Sequence, residues 1–124
     1  MKMNKRVKKL ILNALRSGEY KQTQGVMKRV TSEDSYCIMS LFCHIYQKEK
    51  GIPDNAWTPL KNSLNGFEWK DMGCTIPDEV AKWAGINGFT CLQLSEGVWR
   101  SLMILNDSDK ITFPQFADLI EEQL

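Results

Sequence analysis

Residues 102–124 read LMILNDSDKITFPQFADLIEEQL, an apolar run, a polar turn and a capped acidic helix. Thr112 and Gln115 stand at capping-box spacing, Pro114 suits a first turn, and Phe116, Leu119 and Ile120 recur at helical spacing, so a terminal helix is predicted from Thr112 onward. The polar turn has the outline of half an EF-hand, with Ile111 at the hydrophobic position. Its ligands do not follow: counted from Ile104, the sixth position is Asp109 where calcium loops need glycine, and the twelfth is Gln115 where they need a bidentate Glu. A turn in which Asn and Asp satisfy backbone groups is expected instead.

Working back from that helix, VWRSLMILN after Gly97 reads equally as a helix or a buried strand, because a short apolar run does not choose between them. GFTCLQL alternates and predicts a strand at residues 88–94. Thr75 and Asp78 make a second capping box, with Pro77 in the first turn and Gly85 closing the helix DEVAKWAG, from which Val80 and Trp83 would face inward. Residues 52–74, rich in Pro, Gly and Asn, hold no period and predict an irregular excursion.

Towards the N-terminus, Ser32 followed by Glu33 and Asp34 offers an N-cap for SYCIMSLFCHIYQKEK. Ile38, Met39, Leu41, Phe42, Ile45 and Tyr46 cover more than one face of this helix, which marks it as central, and Gly51 ends it. A short strand is expected around residues 25–30. Val7, Leu10, Ile11, Ala14 and Leu15 form the stripe of a first helix over residues 3–16, stopped by Ser17 and Gly18. The fold class expected is α+β: one globular domain over residues 1–124, mainly helical, with three or four helices against a small β-sheet.

The chain has 124 residues, enough to bury a core without disulfides or a structural metal, and 43% hydrophobic with 25% charged residues is ordinary globular composition. No stretch is long and apolar enough to span a bilayer, and the basic start is interrupted by Asn13 and Arg16 without a cleavage site, so a cytoplasmic protein is expected. Cys37, Cys43, Cys74 and Cys91 lack metal spacing and read as core thiols. No cofactor and no metal are expected, and no Gly-rich phosphate loop, paired-carboxylate motif or nucleophile elbow announces an enzyme. His44, adjacent to Cys43, diverges from it by about 100° on a helix, so the two form no catalytic pair.

Net charge is only +1, yet it is polarised. Residues 1–30 carry Lys2, Lys5, Arg6, Lys8, Lys9, Arg16, Lys21, Lys28 and Arg29 against Glu19, while the last 20 carry Asp107, Asp109, Asp118, Glu121 and Glu122 against Lys110. Such asymmetry points to an anionic partner, or to head-to-tail pairing of the termini within one chain or between copies in a homo-oligomer. Arg16, Tyr20, Lys21, Gln22, Gln24, Lys28 and Arg29 join cations, an aromatic face and amides, the chemistry that binds phosphates and bases, and are the candidate anion or nucleotide site. Trp57 and Trp69, in the irregular excursion, are the candidate interface for a protein partner, since loop aromatics can anchor one.

Three blocks, ALRSGEYKQTQG, SYCIMSLFCHIYQKEKG, and TIPDEVAKWAGI followed by LMILNDSDKITFPQFADLIEEQL, together resemble a family of small uncharacterised proteins of tailed phages and prophages. The resemblance covers about two thirds of the chain. It departs from that family at Ser40, a usual glycine, and at His44, a usual acidic position, and it carries no catalytic residue over. What it implies is a viral accessory role in the host cell cytoplasm, with a host protein as the partner expected for a non-catalytic binding protein that inhibits or adapts a host process. The alternative is a sponge for a cyclic nucleotide or ADP-ribose-type immune signal. Nucleic-acid binding through the basic first helix is a further one.

Overall fold

The structure is a computed structural model that describes residues 2–61, 63–70 and 75–124. Its elements run α1 (Lys5–Ser17), β1 (Lys21–Gln22), β2 (Lys28–Val30), β3 (Asp34–Tyr36), α2 (Ile38–Lys50), a 3-10 turn (Asp54–Ala56), β4 (Trp57–Pro59), β5 (Gly66–Trp69), α3 (Asp78–Ala84), β6 (Cys91–Ser95), β7 (Val98–Ser101), α4 (Leu102–Asp107) and α5 (Phe113–Gln123). The α+β class is as expected from the sequence. Five strands form one sheet in the order β1-β3-β2-β5-β4, with only β1–β3 parallel, and β6–β7 is a separate hairpin.

α2 is the central helix: Ile38, Leu41, Phe42 and Cys43 are wholly buried along it. α1 buries the stripe Val7, Ile11, Ala14 and Leu15, with Asn4 capping its start by accepting from Val7 N. The predicted box on α5 is present in both directions, Thr112 accepting from Gln115 N and the Gln115 amide accepting from Thr112 N. The N-terminal segment is stitched to two helix ends, Met3 N donating to Leu124 O and Asn4 N to Ala84 O. Gly85 permits the second contact: its φ is +76°, and a Cβ there would lie 2.9 Å from Asn4 N.

Several boundaries differ from the sequence reading. Ser32 does not cap α2, because residues 34–36 are pulled into β3 between β1 and β2; the cap passes to Cys37, whose Sγ accepts from Ser40 N. Thr75 does not cap α3, which starts after Pro77 with no side-chain cap bond. The expected excursion at 52–74 contains a 3-10 turn and two strands too short to show a period of 2, with Pro59 at the end of the edge strand; residues 71–74, Cys74 among them, lie outside the described residues. VWRSLMILN is both a strand and a helix, divided at Ser101, which caps α4 by accepting from Ile104 N. The strand expected at 88–94 is Cys91–Ser95, and the one at 25–30 is Lys28–Val30.

Candidate functional site

The seven residues of the basic segment do not converge. Arg16 is held by α5, with Nη1 2.7 Å from Glu121 and Nη2 3.0 Å from Asp118. The opposed charges of the two termini are thus joined within one chain, and Lys8 Nζ adds a bond to Glu121 O. Gln22 turns inward: Nε2 donates to Asn106 Oδ1 and Ile111 O, and Oε1 accepts from Phe113 N. Arg29 Nε donates to Thr23 Oγ1 at 3.3 Å, and Gln24 is exposed.

Lys28 is 8% exposed, with Nζ 4.8 Å from the Trp57 ring centroid, 5.5 Å from that of Tyr36 and 3.8 Å from Asp34 Oδ2. Its ammonium serves the sheet's own aromatic face. Tyr20 and Lys21 do line a cleft together, of about 680 Å3, but its other charged walls are Glu19, Glu33 and Asp34. Three carboxylates against one ammonium oppose a phosphate there.

Beneath Tyr20 lies a polar aromatic cluster. The Tyr20 ring meets His44 edge-on at 5.4 Å and Tyr36 at 6.2 Å, and Tyr36 Oη is 3.3 Å from His44 Nδ1. Burial, reinforced by Asp34, Tyr20 and Asp54, pushes the Tyr36 phenol up to about 12. Burial, reinforced by Lys28 and Lys48, pulls His44 down to about 4. At neutral pH both are uncharged, so the phenol donates and Nδ1 accepts. Neither is matched to proton transfer near pH 7.

The His44 shift sets a pH dependence. Its folded pKa lies below the unfolded value near 6.5, so between about pH 6.5 and 4 the unfolded state binds more protons, and stability present above 6.5 is lost as pH falls through that window. The loss expected is about 1–2 kcal/mol after allowance for solvent screening of a half-exposed ring. Melting of wild type and His44→Gln at pH 7.5 and 4.5 checks it: the variant should lose less on acidification, and equal losses would contradict the assignment.

The tryptophans sort sharply. Trp57 and Trp69, expected in an exposed loop, are 6% and 0% exposed, because they face each other in register on β4 and β5 with ring centroids 5.0 Å apart. As an accessible partner interface they are therefore ruled out. Their indole N–H groups donate to Gln47 Oε1 and Glu79 Oε1, and that of Trp83 to Glu49 Oε1. Trp99 is different: it is 59% exposed, and among the described residues its indole N–H has no partner.

Trp99 stands on β7 opposite Gln93 of β6. With Phe89, Cys91, Gln93, Gln123 and Leu124 it lines a cleft of about 530 Å3 that no charged side chain enters. Phe89, on the turn before β6, is 77% exposed and is held by Asn87 Oδ1, which accepts from Phe89 N at 2.7 Å. Cys91 is exposed here, contrary to its reading as a core thiol, whereas Cys37 and Cys43 are buried and their thiols pushed up by burial. An aromatic-walled cleft with no cationic side chain suits an apolar side chain or a neutral ring better than a phosphate.

Sequence reasoning missed this cleft because Phe89 and Trp99 belong to strand-like runs whose apolar residues are expected to face a core. Only Leu92 of β6 does so completely. Among the described residues no cluster of three His, Cys, Asp or Glu could hold a metal ion, and no helix is long and apolar enough to cross a membrane. No curated protein and no solved structure matches the chain. A family model described as a domain of unknown function, DUF8296, matches residues 3–124, and the chain belongs to that family.

Proposed function

We propose that the chain is a non-catalytic binding protein that engages a protein partner through the Phe89–Trp99 cleft. The observation that carries this reading is the contrast among the four tryptophans: three have their indole N–H groups bonded inside the chain, and Trp99 offers its ring and N–H to solvent beside an exposed Phe89. Partly exposed aromatics with a polar handle are the residues that dominate binding energy at protein interfaces. The resemblance to phage and prophage proteins supports a host protein as the partner, in the host cytoplasm, with inhibition or adaptation of a host process as the outcome.

The nucleotide-sponge alternative draws less support, since three of the four charged side chains lining the Tyr20 cleft are carboxylates and no cationic side chain lines the Trp99 cleft. Binding through α1 to nucleic acid is weakened likewise, because Arg6 pairs with Glu49 and Arg16 with Asp118 and Glu121.

The test is affinity capture from a bacterial lysate with wild type and a Phe89→Ala/Trp99→Ala double variant. A discrete protein retained by wild type and lost by the variant is expected, while the variant's melting temperature stays within about 3 °C because both side chains are exposed. Identical recovery by both proteins would overturn the assignment of the cleft. Thermal shift by cyclic dinucleotides on wild type would instead favour the sponge.

A further inference from the structure

Sulphur is concentrated where α2 begins. Met27, Cys37, Met39 and Met103 together line a small cavity of about 120 Å3, and among the described residues Asp107 is the one lining side chain that carries oxygen. Met27, Cys37 and Met39 are buried, while half-buried Met103 and Asp107 and exposed Gly25 leave the cavity a way in. Methionine ordinarily fills irregular gaps in a close-packed interior, because its thioether chain is unbranched and adaptable. Here three methionines surround a gap and leave it open.

The surround is pinned from three directions. Met27 O accepts from Cys37 N at 2.8 Å and from Ser40 Oγ, which fixes the segment entering β2 on the first turn of α2. Asn106 Oδ1 accepts from Ile38 N at 3.0 Å and holds α4 to the same turn. Met103 and Asp107 stand four residues apart on one face of α4. Cys37 itself is the N-cap of α2, and its Sγ accepts from Ser40 N at 3.5 Å. A sulphur at a helix N-terminus that accepts a backbone N–H is placed to carry negative charge.

An occupant of this cavity must prefer thioether sulphur. Calcium and magnesium take oxygen ligands, and zinc takes thiolate, imidazole or carboxylate. One thiol among thioethers is instead a donor set for monovalent copper, a small soft cation.

We propose that Met27, Cys37, Met39 and Met103 form a binding site for one Cu(I) ion. The ion enters past Gly25, drawn by the Asp107 carboxylate. A Cu–S bond forms to Cys37 Sγ as its S–H bond breaks, the proton leaves to water, and no electron is transferred. The three thioethers close on the ion by rotation of flexible side chains, and the thiolate neutralises its charge. The cavity shares no lining residue with the Phe89–Trp99 cleft, so copper loading and partner binding are separable properties.

Titration of the reduced full chain, without oxygen, against the Cu(I) complex of bicinchoninate tests the site, since the absorbance of the complex falls as protein removes copper. One ion per chain is expected. Cys37→Ser should abolish uptake. Met103→Leu conserves volume, so the melting temperature should stay within about 5 °C while copper affinity falls by roughly tenfold or more. If Cys37→Ser does not fold, Met103→Leu decides. Cys91→Ser, which removes an exposed thiol outside the cavity, should leave uptake unchanged. X-ray absorption at the copper edge should show a first shell of sulphur. No uptake, uptake indifferent to Met103→Leu, uptake lost with Cys91→Ser, or a first shell of nitrogen and oxygen would each overturn the proposal.

Discussion

Replacing Asn106 with leucine is expected to lower the unfolding free energy by about 4 kcal/mol, and the melting temperature by roughly 12–20 °C. Asn106 is wholly buried on α4 and ties three parts of the chain together. Its Oδ1 accepts from Ile38 N at 3.0 Å, at the start of α2, and from Gln22 Nε2 at 2.9 Å; its Nδ2 donates to Thr23 O and to Asp107 Oδ1. Among the described residues no buried side-chain nitrogen or oxygen lacks a partner, so leucine would create several such groups at once. Each stranded group costs about 1–3 kcal/mol. Urea or thermal unfolding measures the loss, and a variant as stable as wild type would show that water or a shifted backbone satisfies them.

Trp69→Ala is expected to cost about 3–5 kcal/mol by removing the largest wholly buried side chain. The indole packs edge-on against Trp57 at 5.0 Å and Tyr46 at 6.4 Å, so the sheet and α2 lose a shared filler. The Glu79 carboxylate, held below the ordinary range first by the Trp69 N–H, would keep Lys70 at 2.9 Å and lose its indole donor. Trp69→Phe should recover most of the packing but not that bond, and so fall between. Trp99→Ala, measured in parallel, should change stability by less than about 0.5 kcal/mol. Comparable losses at positions 69 and 99 would mean that Trp99 is packed, and would remove the basis of the proposed binding cleft.

Both residues show where sequence reading stops. The polar residue closing the apolar run LMILN is the visible trace of Asn106, and the paired Gln22 stands in the basic segment, where its amide reads as a ligand donor. Their bond joins residues 84 apart, and no local window contains it. Trp57 and Trp69 read as loop aromatics for the same reason. The strands that bury them are three and four residues long, and only pairing with each other and with β2 makes them strands.

The candidate cleft was legible only as its parts. GFTCLQL reads as a strand, yet which of its faces is covered depends on α5, whose Gln123 reaches β6 while Phe89 and Trp99 stay in solvent.

By itself the sequence determined what interactions three or four residues apart can specify: the buried stripe of α1, the Thr112–Gln115 box of α5, the apolar breadth of α2, and the α+β class that follows from them. It also announced the opposed charges of the two ends. The tertiary structure alone decided that those charges meet within one chain, that Cys37 rather than Ser32 caps α2, and that Trp57 and Trp69 are core while Trp99 is surface. The physical reason is range: caps and helical stripes are satisfied by near neighbours, whereas strand pairing, burial of an aromatic ring and satisfaction of a buried amide depend on partners that only the folded chain brings together.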